Sequence, residues 1–227
     1  MLTMNRNMPY GWLCRLLLLP LSVLLDCGNS ASPLEPLRDA TLTPGVGLGT
    51  LELDKTTLRE VLASMGRGTP ILVVSDETAI ELDYANRQLA LLFPLTRLCM
   101  DNIRDMALRQ IVPNLEAWVN SHPSCGDITL TSLAVATREG FGSTWFRGKT
   151  NKGIGLGQSL KEVIVAYEPP DDAHGRLLAG LGPLTDIGLW EYPSGIQFYF
   201  SPEKTNKLEE ATIVHMTIFR PEPKRES

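Results

Sequence analysis

The residues most suggestive of chemistry lie in the stretch 146–163, which reads FRGKTNKGIGLGQSLKEV. Gly148-Lys149-Thr150 matches the end of a P-loop, whose glycine-rich backbone and lysine hold the phosphates of a nucleotide. That motif has four residues between its first glycine and Gly-Lys-Thr, whereas five residues separate Gly142 from Gly148 here. The helix that should follow Lys149 directly is also displaced, because its first signals come near residue 158. The spacing therefore predicts no nucleotide site.

The glycines at 153–157 alternate with other residues, and this pattern partly matches a dinucleotide fingerprint. In that fingerprint the third glycine comes one residue later and follows a parallel strand. The neighbouring strand patterns here are typical of antiparallel pairs, so we predict glycine turns and no cofactor. No metalloprotease or nucleophile-elbow motif accompanies the histidines, which are His122, His174 and His215. We predict no catalytic residue and no metal site.

The amino-terminal sequence is typical of export. Arg6 and Arg15 precede an apolar run at residues 16–25, LLLLPLSVLL, which is too short to cross a bilayer that needs about 20 residues. A basic start followed by such a run predicts a signal segment over residues 1–26. The residues at 27–40 are then predicted to be a tether. Ordinary signal cleavage near residues 30–32 is the alternative to lipid processing at Cys27.

The sequence Leu24-Leu25-Asp26-Cys27-Gly28 resembles the processing site of bacterial lipoproteins, although Asp26 stands where a small residue is usual. In that family the cysteine becomes the lipid-modified first residue of the mature chain. The resemblance implies lipidation at Cys27, with palmitate among the acyl chains, and a membrane anchor that needs no spanning helix. The implied location is the periplasmic face of a bacterial membrane, the outer membrane in preference to the inner one.

Cys99 and Cys125 remain in the body of the exported chain, and an oxidising compartment favours a disulfide between them. Two separate thiols, or a zinc site with His122, are the alternatives. The residues between the two cysteines have helical apolar spacing, and one straight helix of this length, about 27 Å, would keep the cysteines apart. A disulfide therefore predicts a segment in two pieces, with Pro113 as the break.

Elsewhere the sequence predicts an α+β fold made of two related modules, at residues 41–112 and 127–220, joined by a connector at 113–126 and followed by a tail at 221–227. Each module has a Gly-x-Gly-Leu-Gly run, at 45–49 or 153–157, followed by a short amphipathic helix and then β-hairpins. Ser159 and Glu162 form the pattern of a helix capping box. Two such modules suggest a duplication, each being a helix packed on an antiparallel sheet.

The second module resembles small outer-membrane lipoproteins of the BamE type in five residues, which are Gly157, Ser159, Val163, Trp190 and Tyr192. Tandem helix-plus-sheet modules also resemble the fold of the β-lactamase inhibitor protein. Neither group is enzymatic, and the resemblance implies that this chain is not an enzyme.

A net charge of −5 without a basic cluster argues against nucleic acid as a partner. We predict a non-enzymatic envelope lipoprotein that binds another protein in the periplasm. A periplasmic inhibitor or immunity protein against a secreted enzyme or toxin is the alternative, and a hydrolase assembled from distant residues is a third hypothesis. The predicted contact surfaces are sheet faces and aromatic side chains, of which up to half must face the core. The candidates for partner binding are Trp145, Phe146, Trp190 and Tyr192, followed by Phe198 and Tyr199.

Overall fold

The computed structural model describes residues 32–73, 78–104, 114–137, 144–168, 176–178, 188–201 and 210–221; for residues 101–104, 176–178 and 188 it describes the backbone alone. The predicted signal segment and Cys27 lie outside these residues. The described helices are α1 (Glu35–Arg38), α2 (Leu58–Met65), α3 (Arg97–Arg104), α4 (Leu115–Ser121), α5 (Pro123–Gly126) and α6 (Leu160–Tyr167). None of them is long and apolar enough to cross a membrane.

The strands form two antiparallel sheets. A small sheet contains β1 (Leu42–Thr43), β2 (Gly47–Leu48) and β3 (Leu51–Glu52). The large sheet has eight strands in the order β4-β5-β6-β7-β11-β10-β9-β8. Its members are β4 (Thr69–Val73), β5 (Ala79–Tyr84), β6 (Leu89–Pro94), β7 (Ser132–Ala136), β8 (Arg176–Leu178), β9 (Gly188–Tyr192), β10 (Ile196–Ser201) and β11 (Thr212–Phe219). The predicted α+β class with antiparallel sheets is confirmed.

The two faces of the large sheet differ in what covers them. Alternate residues of each strand point to opposite faces, and the buried set alternates regularly along β6, β7 and β10. Every described helix contributes to the hydrophobic core on one face, through residues such as Leu37, Val61, Cys99, Trp118, Cys125 and Val163. Among the described residues, the side chains of the opposite face do not belong to this core cluster, and two of them, Ala79 and Asp83, are nevertheless buried.

The sheet order divides the large sheet into two sets of four strands. We call α2 to β7 the first half and α6 to β11 the second half. Strand β7 ends the first half and pairs with β11, which ends the second half, so that His215 lies opposite Ala136 and Phe219 opposite Ser132. One continuous sheet therefore runs through both halves.

Helices α2 and α6 begin in the same way. Thr57 caps α2 and Ser159 caps α6, and each forms a complete capping box with the glutamate three residues later, Glu60 or Glu162. Hydrogen bonds to the two carboxylates lower the pKa of both glutamates. The bond from the Thr57 backbone contributes most at Glu60. At Glu162 the bond from the Gln158 side chain, which is outside the capping box, contributes most, followed by the bonds from Ser159. The capping box predicted at Ser159 is therefore present.

The start of each helix is also fixed to the strand that closes its half. The backbone N–H of Leu58 donates to the carbonyl of Ile128, at 2.9 Å, just before β7. The N–H of Leu160 donates to the carbonyl of Ala211, also at 2.9 Å, just before β11. The two helices therefore meet the sheet through matching backbone contacts.

A tyrosine holds the end of each of these helices. The hydroxyl of Tyr84, at the end of β5, donates to the carbonyl of Gly66 at 2.7 Å. The hydroxyl of Tyr192, at the end of β9, donates to the carbonyl of Glu168 at 3.0 Å. Because a helix end leaves its last carbonyls without internal partners, each tyrosine stabilises the point where its helix stops.

Cys99 on α3 and Cys125 on α5 lie at disulfide-bonding distance, with their Cα atoms 5.6 Å apart. They belong to separate helices, with α4 between them in the chain. One straight helix between the two cysteines is therefore excluded, and Pro113, the predicted break, lies outside the described residues. Among the described residues no group of three or more His, Cys, Asp or Glu side chains could hold a metal ion.

Two segments differ from their sequence-based description. Residues 35–38, placed in the tether, form α1, and its apolar residue Leu37 is buried in the core. The glycine run at 45–49 contributes to β2 and is followed by β3, whereas the run at 153–157 leads directly to the cap of α6. The two runs therefore occupy different places relative to their helices.

Candidate functional site

The candidate site is the face of the large sheet that lies opposite the core, which we call the open face. Strand register defines it, because residues directly opposite each other in an antiparallel pair point to the same side. Its side chains are mostly half-buried. They are Thr69, Ile71, Val73, Ala79, Glu81, Asp83, Ala90, Leu92, Pro94, Ser132, Ala134, Ala136, Leu189, Glu191, Gln197, Tyr199, His215, Thr217 and Phe219.

The middle of the open face is low and nearly flat. Ala90 of β6 lies opposite Ala134 of β7, which lies opposite Thr217 of β11. Ser132 and Ala136 are the next residues on the same side of β7. A chain could therefore cross the central strands along the row of Ala90, Ala134 and Thr217. This row is bordered by Leu92 and Phe219, which lie opposite Ser132, and by His215, which lies opposite Ala136.

The end of the open face on β9–β11 is aromatic and polar. The ring of Tyr199 stacks on His215, with centroids 4.6 Å apart and planes inclined by 19°. The Nε2 atom of His215 lies 3.2 Å from the hydroxyl of Thr217. Burial lowers the pKa of His215 and raises the pKa of Tyr199, so both are favoured in their neutral forms.

A short chain of hydrogen bonds extends from this stack across the sheet. The Tyr199 hydroxyl donates to Gln197 Oε1 at 3.2 Å, and Gln197 Nε2 donates to the Glu191 carboxylate. Gln197 lies opposite Glu191 in the pairing of β10 with β9. The aromatic end is therefore held in place by contacts among its own residues.

The end of the open face on β4–β6 is acidic. Glu81 and Asp83 alternate with the core residues Ile80, Leu82 and Tyr84 along β5. Burial raises the pKa of both carboxyl groups; the nearby charge of Asp83 raises that of Glu81 further, and Arg87 opposes both shifts. The two acids share one small region of surface.

A cleft of about 500 Å³ lies beside Asp83, between the start of β4 and the turn after β5. Its lining includes Gly68, Thr69, Asp83, Asn86 and Arg87. The turn residues at 85–87 all have positive φ, of 50°, 57° and 67°, although none is glycine. This turn brings Arg87 back to Asp83, with Nε 3.6 Å from Oδ2.

The structure changes the list of aromatic contact residues. Phe146, Trp190 and Tyr192 are 1%, 9% and 4% exposed, so they belong to the core and not to a contact surface. The residue types alone could not distinguish a core residue from a contact residue. Successive side chains of a strand point to opposite faces, and which face is the core is known only once the helices are placed. Phe198 is also buried, whereas Tyr199 lies on the open face.

Trp145 is half-buried at the edge of the core, and its backbone N–H donates to Gln88 Oε1 at 2.6 Å. Because Phe146, Trp190 and Tyr192 are buried, the predicted aromatic set does not form one exposed surface. Glu81 and Asp83 were missed by the sequence reasoning. The signal for them was available, because their alternation with apolar residues in the stretch AIELDY places two acids on one side of a strand.

No protein-family model, no curated protein and no solved structure matches the chain.

Proposed function

We propose that this chain is an exported, lipid-anchored protein of a bacterial envelope that acts by binding another protein. The observation that carries the proposal is the open face, because every described helix packs on the other side of the sheet. The open face combines a flat centre with a half-buried aromatic pair, Tyr199 and His215, and such faces suit protein contacts. The basic and apolar start of the sequence and Cys27 support export and anchoring.

We also infer that the two halves derive from one duplicated helix-plus-sheet module. Three pairs of equivalent features support this: the capping boxes of α2 and α6, the backbone bonds of Leu58 and Leu160, and the hydroxyl bonds of Tyr84 and Tyr192. In this arrangement β7, which the sequence-based bounds of 127–220 assign to the second module, completes the first module, and β11 completes the second. Duplication of a module with one helix and four strands would double the number of strands in the sheet and so enlarge the open face.

Site-specific crosslinking in the producing cells tests the binding function. A photoreactive phenylalanine analogue replaces Tyr199 on the open face, and in a matched control it replaces Val165, which is 80% exposed on α6. We expect a protein adduct from position 199 and not from position 165. The absence of an adduct at position 199, or the same adducts at both positions, would contradict the proposal.

The anchor has a separate test. Cells labelled with radioactive palmitate should incorporate the label into the wild-type chain and not into Cys27→Ala. Equal labelling of the two chains would show that Cys27 is not the lipidated residue. Ordinary cleavage near residues 30–32 would then describe the export better.

A second candidate function is that of an inhibitor or immunity protein in the periplasm. The acids of the open face, Glu81 and Asp83, favour it because they could complement a basic patch on a secreted enzyme or toxin. The crosslinked partner decides between the two functions. An enzyme or toxin that loses activity when the purified chain is added would assign the inhibitor role.

A further inference from the structure

The acidic end of the open face holds two carboxylates in a setting that disfavours their charge. Asp83 is only 6% exposed, and Glu81 is half-buried two residues away on the same side of β5. Burial raises the pKa of both carboxyl groups, and the charge of Asp83 raises the pKa of Glu81 further. A further positive charge beside these groups would favour their charged forms.

The cation that now faces Asp83 is loosely held. The Arg87 side chain is 79% exposed, and it reaches Asp83 through a single ion pair at 3.6 Å. Most of the Arg87 side chain is in contact with solvent, so the ion pair fixes little of it. Arg87 can therefore leave the carboxylate at little cost when another cation approaches through the cleft.

The surroundings suit an extended chain better than an isolated ion. The cleft beside Asp83 has about 500 Å³, which is enough for a long side chain. From there the flat row of Ala90 and Ala134 leads across the sheet toward Tyr199. A segment lying on this row can place one side chain in the cleft and an apolar one against the aromatic end.

We propose that the open face binds a basic, extended segment of the partner protein, with a lysine or arginine side chain entering the cleft and replacing Arg87 at Asp83, two residues from Glu81 on the same side of β5. This inference rests on the proposed binding function and adds the chemistry of the partner. The binding energy comes from three sources: the cation beside Asp83, the backbone lying on the row of small side chains, and contact with Tyr199.

Peptide binding measured by fluorescence anisotropy tests the inference. The probe is a fluorescein-labelled peptide of repeated Ser-Val-Lys-Thr, and its counterpart is repeated Ser-Val-Glu-Thr, each titrated with the full chain. We expect the lysine peptide to bind with a Kd at least about tenfold lower at low salt, and the difference to shrink near 0.5 M salt. Equal binding of the two peptides would overturn the inference.

Two variants of the face should act in opposite directions. Glu81→Gln with Asp83→Asn should raise the Kd of the lysine peptide by about fivefold or more, whereas Arg87→Gln should lower it because the competing cation is gone. The matched control is Glu116→Gln with Glu168→Gln, which removes two exposed charges from the helices and should change the Kd by less than about twofold. A rise in Kd for Arg87→Gln, or equal effects of the two double variants, would overturn the inference even if the first double variant folds poorly.

Failure of this inference can be distinguished from failure of the proposed function by comparing the peptide-binding and crosslinking results. A protein adduct at position 199 together with equal binding of both peptides leaves the binding function standing and removes the basic partner. Selective binding of the lysine peptide without any adduct at position 199 supports the cleft and contradicts the binding function in the cell.

Discussion

The two halves of the molecule share a backbone frame but stabilise their cores differently. Trp190 and Phe198 lie opposite each other on β9 and β10, and the equivalent pair on β5 and β6 is Leu82 and Leu91. The first half instead has the Cys99–Cys125 pair, which joins α3 to α5. At this equivalent pair the second half has two aromatic rings, whereas the first half has two leucines and, elsewhere in its core, two cysteines at disulfide-bonding distance.

The aromatic cluster of the second half is extensive. The ring of Phe198 lies 5.2 Å from that of Tyr167, 5.8 Å from that of Tyr192 and 6.4 Å from that of Phe200. Two of these contacts are edge-to-face, a favoured geometry that adds to the burial of apolar area. The same arrangement of helix and strands therefore accommodates different core side chains, while the contacts at the helix ends are the same in both halves.

The largest expected effect is on the aromatic core. Phe198→Ala should lower the free energy of unfolding by about 4 kcal/mol, because it leaves a cavity and removes three ring contacts. Leu91→Ala, at the equivalent place in the first half, should cost about 3 kcal/mol. Denaturant unfolding of the full chain measures both. A greater loss for Leu91→Ala than for Phe198→Ala would contradict the idea that the rings contribute more.

Phe198→Leu is the control for the size of the cavity. It restores apolar volume without restoring the ring contacts, so the free energy it recovers comes from burial alone. We expect it to recover more than half of the loss. Full recovery would show that the geometry of the ring cluster contributes nothing.

The next effect concerns the covalent link. The two cysteines are 26 residues apart in sequence, and a loop of that length predicts a stabilisation of about 3.5 kcal/mol from the reduced freedom of the unfolded chain. Cys99→Ala with Cys125→Ala should lose about this amount. Unfolding with and without dithiothreitol provides the control, because reductant should weaken the wild type and leave the variant unchanged. An equal response of both chains to reductant would exclude the disulfide.

The local elements of the fold could be read from the sequence, whereas their assembly could not. The spacing of Ser159 and Glu162 predicts the start of α6, because a capping box involves only residues close together in sequence. The pairing of β7 with β11 joins residues 132–136 to residues 215–219, and nothing local specifies it. The similar glycine runs were misleading for the same reason: residues 45–49 and 153–157 have alike sequences but different tertiary surroundings.

The candidate site was likewise predictable only in its local features. That Glu81 and Asp83 share a side of β5 follows from their spacing alone. That this side is the open one depends on the helices, which pack on the face of Leu82 and Tyr84. Trp190 and Tyr192 were predicted to form a contact surface because they are large aromatic residues. They lie on the face that the helices cover, so they are part of the core.

The smallest expected effect tests the contacts that the two halves share. Tyr84→Phe and Tyr192→Phe each remove one hydroxyl bond to the carbonyl at a helix end, and each should lower the free energy of unfolding by about 1 kcal/mol. Similar losses would indicate that the two helix ends are stabilised equally despite the different cores. Tyr199→Phe on the open face is the matched control, and it should cost less because its hydroxyl bonds to the half-buried side chains of Gln197 and Thr217 and not to a helix end.

The tyrosines also predict a dependence on alkaline pH. Burial raises the pKa of Tyr84 and Tyr192 above the ordinary value of about 10, and nearby Tyr167 raises that of Tyr192 further. Above pH 10 the unfolded chain therefore loses phenolic protons that the folded chain keeps, so the stability these groups contribute is complete below about pH 10 and declines above it. The Tyr84→Phe, Tyr192→Phe double variant should show a shallower decline in unfolding free energy between about pH 9 and pH 11 than the wild type. Parallel declines would mean that these hydroxyls ionise as easily in the folded chain as in water, which is incompatible with their bonds to the helix ends.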